Sequence, residues 1–265
     1  MSTAQTTVGA AETPLPTYDD VESLYDKYSE FYDVCAATGR ADLPLYLELS
    51  DGAGVTLDLG CGTGRVALPL LDAGRTVIGV DISPKMLQVF ESKIPSSARD
   101  RVSLVQHDFC RAPFTSTFDL CILSWFTFNY VLSESDQVAM LRNVRRATTP
   151  GGVVVLDLFW PKTLAVGVDV WEQRDVVVQE EPLLTRHDRR RMSGLVEERT
   201  QTYEHDGERF TFESSRRFVS PAEIAALLRT CGFEVEWFST DHGRTRTTAL
   251  AEGSAASYVV VGRAV

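Results

Sequence analysis

Three aspartates, Asp58, Asp81 and Asp108, each stand at or near the end of an apolar, β-branched run and ahead of a turn. A carboxylate so placed can accept hydrogen bonds from vicinal hydroxyls or face a cation, if the strand ends at a cleft. Asp58 introduces Leu59-Gly60-Cys61-Gly62-Thr63-Gly64-Arg65. Its alternate glycines allow unusual dihedrals and let a ligand approach with no Cβ in the way. A helix opening behind them adds free N–H groups and a positive dipole end. The spacing is G-x-G-x-G, not the G-x-G-x-x-G that cradles a dinucleotide pyrophosphate. An acid just before the loop would repel a pyrophosphate and suits a ligand with an ammonium group. Asp81, roughly twenty residues past the loop, suits the two hydroxyls of a ribose.

The positioning elements follow from periodicity and punctuation. Val55–Leu59 reads as a strand, 65–73 as a helix and Thr76–Asp81 as a second strand. Ser83 and Pro84 supply the N-cap and first position of a helix over 84–93. Strands Val102–Gln106 and Phe118–Ser124 come next, then a helix over 134–147 that Pro150-Gly151-Gly152 breaks, and a fifth strand, Val153–Leu158. Strand–helix alternation predicts parallel strands with right-handed crossovers. Upstream, Tyr25, Tyr28, Phe31 and Tyr32 fall on one face of a helix that begins at Tyr18, and Ala41–Leu49 forms another. Residues 1–17 read as a flexible tail. Within 168–219, Val176–Val178, Leu195–Tyr203 and Arg209–Val219 read as strands. Asp206-Gly207 is a two-residue hairpin signal. Ser220-Pro221-Ala222-Glu223 starts a last helix, followed by strands Phe233–Phe238 and Tyr258–Gly262.

The string D-L-G-C-G-T-G-R resembles motif I of the class I S-adenosylmethionine (SAM) dependent methyltransferases. The resemblance implies an α/β, Rossmann-like fold: a seven-stranded, mostly parallel sheet with helices on both faces. The antiparallel β insertion after strand five is then a lid over the substrate, as in sugar-amine N-methyltransferases and glycine N-methyltransferase-like enzymes, where it is often also a homodimer surface. The domain spans 18–265. SAM is the implied cofactor. Asp81 is assigned to its ribose, Asp108 with Phe109 to the adenine, and the end of strand four, at Ser124, to the methionine portion. Gly60, Cys61 and Gly62 form the loop around it, beside Asp58, Ile82 and Met86. Tyr32 and Arg40 match positions that meet the SAM carboxylate. The segment Ser124-Trp125-Phe126-Thr127-Phe128-Asn129-Tyr130 lacks the prolines of nucleobase and glutamine methylating enzymes and looks like that of small-metabolite methyltransferases. Asn129 and Tyr130 either orient an acceptor or, respectively, cap a short helix and pack; the residues alone leave both open. Tyr25 joins them at the mouth.

A net charge of −11 argues against a nucleic-acid partner, which needs a basic face. The basic run Arg186–Arg191 reads as a solvated part of the inserted sheet. Cys35, Cys61, Cys110, Cys121 and Cys231 have no metal-ligand spacing and suit reduced thiols in a cytoplasmic protein. No apolar run has membrane-spanning length. The expected activity is methyl transfer to nitrogen or oxygen of a small molecule in specialised metabolism. The competing readings are a SAM-binding scaffold or sensor without transfer and, against the glycine spacing, an NAD oxidoreductase.

Overall fold

The computed structural model describes residues 25, 26, 29, 32, 33, 41–160, 172–179, 184–205, 207–251, 253 and 255–265. Its central sheet contains β1 (Thr56–Leu59), β2 (Val77–Asp81), β3 (Val102–Gln106), β4 (Phe118–Leu123), β5 (Thr148–Phe159), β10 (Phe233–Ser239) and β11 (Ser257–Ala264). Their order is β10-β11-β5-β4-β1-β2-β3. Only β11 runs against its neighbours, pairing antiparallel with both β5 and β10. The chain builds outward from β1 to β3, then returns to lay β4 on the other side of β1. That reversal opens a crevice at the carboxyl ends of β1 and β4, the place where ligands bind in such sheets.

Helices cover both faces. On one, α1 (Leu43–Leu49), α2 (Ala67–Asp72) and α3 (Pro84–Lys93) pack Leu45, Tyr46, Leu70, Leu71 and Phe90 against β strands. On the other, α4 (Glu134–Ala147) and α5 (Pro221–Thr230) pack Leu141, Val144, Ile224 and Leu228. The strands are apolar on both sides because both sides are covered. The caps are as the residues predict: Ser83 Oγ accepts from the Met86 amide and Ser220 Oγ from the Glu223 amide. Glu223 does not reach back to close a capping box; its carboxylate pairs with Arg217 at 2.6 Å. Ser220→Ala is expected to cost about 1 kcal/mol, read as a lower denaturant midpoint with unchanged slope.

Two details differ from expectation. Pro150-Gly151-Gly152 does not separate helix from strand. It lies within β5, where the pairing of Phe118 with Thr148 jumps to that of Leu120 with Val153. The extra residues form a bulge, with Gly151 at φ 76°. Among the described residues the insertion holds four strands rather than three: β6 (Glu172–Gln179), β7 (Leu184–Ser193), β8 (Val196–His205) and β9 (Glu208–Arg217), paired in order as an antiparallel meander. The basic run is most of β7. Arg191 pairs with Glu198 and His187 with Glu204, while Arg186 pairs with Asp188 two residues on. Strand alternation thus divides the run between two faces. The predicted tail, Tyr28, Phe31 and Arg40 lie outside the described residues.

Candidate active site

The glycine loop leaves β1 with Gly60, Gly62 and Gly64 at φ 77°, 52° and 90°. Two of them have no room for a side chain. A Cβ on Gly60 would fall 2.6 Å from Thr127 Cγ2, and one on Gly64 would fall 2.5 Å from the Phe90 ring. Asp81, at the tip of β2, holds the loop open: Oδ2 accepts from the Gly62 amide at 2.8 Å and Oδ1 from the Ser83 amide at 2.9 Å. Burial raises its pKa, opposed by those amide hydrogen bonds.

The resulting cleft has about 880 Å³ of open space, counted to its mouth. Gly60, Cys61, Gly62, Asp81, Ile82, Met86, Phe109 and Ser124 line it, as do Tyr25, Tyr32 and Tyr130. The structure therefore brings together most of the residues singled out by sequence. Tyr32 and Tyr25 reach it because their segment is tied down: Asp26 accepts from Ser83 Oγ at 2.6 Å, and Asp33 accepts from Thr63 Oγ1 at 2.6 Å and pairs with Lys93.

Three singled-out residues do not line the cleft. Asp108 turns into its own loop, accepting from the Cys110 amide at 2.8 Å and pairing with Arg111. His107 stands in the wall instead, edge-on to Phe109, which stacks with Phe114. Asn129 is fully buried, and its side chain bonds backbone groups of the protein. Its amide donates to the carbonyls of Arg217 at 2.7 Å and Phe159 at 3.4 Å, and its Oδ1 accepts from the Phe159 amide. Every polar atom of the side chain is committed to joining the turn after β4 to β5 and the lid.

Asp58 lies under the loop, 1% exposed, and neither carboxylate oxygen meets a hydrogen-bond partner. Burial pushes its pKa up to about 7, with Arg65 opposing and Asp81 adding; the Ala67 amide tempers the charge without closing a hydrogen bond. Asp157, in β5, is likewise pushed by burial to about 7, with Asp42 adding to the effect. The cation in this buried group is Arg65, held by Asp42 through two 2.8 Å hydrogen bonds. Three carboxylates facing one guanidinium leave the floor of the cleft electronegative when ionised, which attracts a cationic ligand.

Residues not assigned from sequence also shape the site. Arg65 lines it and stacks over Trp125, its guanidinium carbon 4.7 Å from the ring. Trp125 and Phe126 adopt φ 49° and 68°, a costly pair of left-handed residues at the tip of β4. The Asp157 carboxylate supports that turn at the Trp125 amide. Asn143 braces the loop around His107 by donating to the carbonyls of Phe109 and Ala112. From the inserted sheet, Phe212 meets the Tyr25 ring edge-on, and Arg199 donates to the Tyr130 hydroxyl.

A methyltransferase domain model matches residues 56–152, which contain β1 to β4, the glycine loop and all three strand-tip acids. Over that stretch the chain carries a methyltransferase domain of the class I, SAM-dependent kind. Cypemycin N-terminal methyltransferase from a Streptomyces species is 37% identical over 141 residues, covering 51% of this chain and 56% of that protein. The chain thus spans little more than half the length of that relative. Among solved structures, the CcbJ methyltransferase from Streptomyces caelestis superposes with a TM-score of 0.77 at 25% identity, covering 91% of this chain and 98% of the other. The sugar N-methyltransferase KedS8 from Streptoalloteichus shares the fold, with a TM-score of 0.63 at 21% identity and 98% of both chains covered. Within this family the cofactor is SAM. The cleft's chemistry fits it: an unpartnered buried carboxylate below a side-chain-free loop, an acid at the next strand tip, and an aromatic wall beyond.

Proposed function

We propose that the chain transfers a methyl group from SAM to nitrogen or oxygen of a small-molecule acceptor. The observation that carries this reading is the cleft at the sheet's reversal point, with Asp81 in its wall, Asp58 buried under its glycine loop and an aromatic mouth. Asp81 takes the ribose hydroxyls, between Ile82 and Met86. Phe109 and His107 hold the adenine. The Gly60–Gly62 backbone, Cys61 and Ser124 surround the methionine portion, Asp58 supplies the counter-charge for its ammonium, and Tyr32 and Arg65 face its carboxylate. Asp108 acts by keeping the adenine loop in shape.

When bound, SAM supplies an electrophilic methyl on a cationic sulfur. The chain's task is to orient an acceptor in line with it and to exclude water; orientation can contribute up to about 7–11 kcal/mol. Tyr25, Trp125 and Tyr130 form the acceptor end. An aromatic enclosure favours ring-bearing or cationic acceptors. The N-methylation named for the cypemycin relative supports an amine, and relatives from Streptomyces support a place in specialised metabolism. Cys61, Cys121 and Cys231, buried or nearly so and outside any disulfide, suit a reducing cytoplasm.

Calorimetry with SAM, S-adenosylhomocysteine (SAH) and NAD tests the reading. SAM and SAH are expected to bind and NAD not to; NAD binding without SAH binding would end it. A methyl-transfer screen against amines and phenols then separates an enzyme from a SAM-binding scaffold.

A further inference from the structure

The inner face of the lid carries more cations than anions at the acceptor end. Glu197, 2% exposed, is engaged by Arg216 at 2.5 Å and lies 3.7 Å from Arg190. Arg199, on β8 opposite Arg190, makes no direct ion pair among the described residues; the charge of Glu197 acts on it without a contact. Its Nη2 donates to the Tyr130 hydroxyl at 2.9 Å and its Nε to Ser214 Oγ at 3.0 Å, both neutral groups. A half-buried guanidinium whose direct hydrogen bonds end on hydroxyls is only partly compensated. Ionisation of the phenol beneath it would supply an anion in direct contact.

We infer that Tyr130 is the proton acceptor for the incoming nucleophile, and that Arg199 is the positioning residue that holds its oxygen as a phenolate. The inference rests on the methyl-transfer reading above and deepens it: the acceptor would arrive as an ammonium or a hydroxyl, not as a free amine. Its proton passes to the Tyr130 oxygen, and the lone pair so released forms the bond to the methyl carbon. The carbon–sulfur bond breaks with its electron pair remaining on sulfur, leaving SAH. Tyr130 returns the proton to solvent after product leaves.

The surroundings agree. Tyr130 faces Tyr25 and Tyr32 from the N-terminal segment, Arg199 and Glu197 from β8, and Arg216 from β9. Burial alone would raise the phenol's pKa, and Glu197 works in the same direction. Arg199 and Arg216 outweigh both, helped by a hydrogen bond from Tyr25, so Tyr130 lies below the ordinary tyrosine value. Tyr25 moves the opposite way, raised first by burial and then by Tyr130, and remains the protonated donor of the pair.

The test is a pH titration of the ligand-free chain labelled with carbon-13 at the tyrosine ζ position, with Tyr130→Phe identifying the resonance. Tyr130 is expected to titrate below the ordinary value of about 10, to move up in Arg199→Met, and to return part of the way in Arg199→Lys. In steady-state assays the rising limb of kcat/KM against pH should shift with it, and Tyr130→Phe should lose ~100-fold or more. A Tyr130 resonance titrating at or above the ordinary value, or one indifferent to Arg199→Met and Arg199→Lys, would overturn the inference while leaving methyl transfer standing. Absence of methyl transfer to any amine or phenol would instead overturn the underlying reading, and the proton-acceptor role with it.

Discussion

Asp81→Ala is expected to weaken SAH binding by ~100-fold or more, because a charged acceptor for two ribose hydroxyls is lost at roughly 1.5–3 kcal/mol per hydrogen bond. The structure adds a second cost. Asp81 is also the acceptor for the amides of Gly62 and Ser83, so its removal frees the loop that surrounds the methionine end. Some loss of thermal stability should therefore accompany the loss of binding. Asp81→Asn separates the two effects, because it keeps the volume and one acceptor oxygen. Its stability should fall less than that of Asp81→Ala, while SAH binding remains impaired. Calorimetric titration and thermal denaturation on the three proteins check both parts. Unchanged SAH affinity in Asp81→Ala would remove the ribose role.

Cofactor binding is expected to release protons near neutrality. In the free chain Asp58 titrates at about 7, held up by burial. An ammonium bound above the loop favours the ionised form, so affinity should rise with pH up to about 7, by at most tenfold per pH unit for each carboxylate, and level off above it. Asp157 titrates in the same range and adds to the effect. In Asp58→Asn the slope should fall by about one proton, and affinity at pH ~8 should drop by ~100-fold. Stability follows the opposite sign. A carboxyl raised from 3.8 to about 7 on folding contributes stability that is present below its unfolded pKa and lost as pH rises through 7. That loss is on the order of 4 kcal/mol. The free wild-type chain should therefore lose stability between pH ~4 and ~7 relative to Asp58→Asn, and saturating SAH should restore it. Titrations in buffers of different ionisation enthalpy read the protons directly.

The parts of this molecule that were legible in its sequence are those set by local rules. Gly60, Gly62 and Gly64 announce a loop without side chains. Ser83-Pro84 and Ser220-Pro221 announce helix starts, and a strand covered on both faces is apolar throughout. Most residues assigned to the cleft from the motif resemblance lie in it for the same reason: strand tips converge wherever a parallel sheet reverses direction. What escaped depends on distant partners. Asn129 looks available in sequence, but it is consumed by Phe159 and Arg217, 30 and 88 residues away. Asp108 differs from Asp81 in its partners: the Cys110 amide and Arg111 draw its carboxylate into its own loop. The left-handed Trp125 and Phe126 carry no glycine to announce them. The hidden β7 is charged on both faces, so it has none of the alternation by which a half-buried strand is recognised. Arg199 and Arg216 look like ordinary solvated residues until the lid folds over Tyr130.

The most direct test is a crystal structure of the chain with SAH. The ribose hydroxyls are expected on the Asp81 carboxylate, the adenine against Phe109 and His107, and the amino-acid end over Gly60 and Gly62 with Asp58 beneath it. SAH bound at another place, with Asp81 turned to bulk water or the glycine loop closed against Tyr32, would contradict the account.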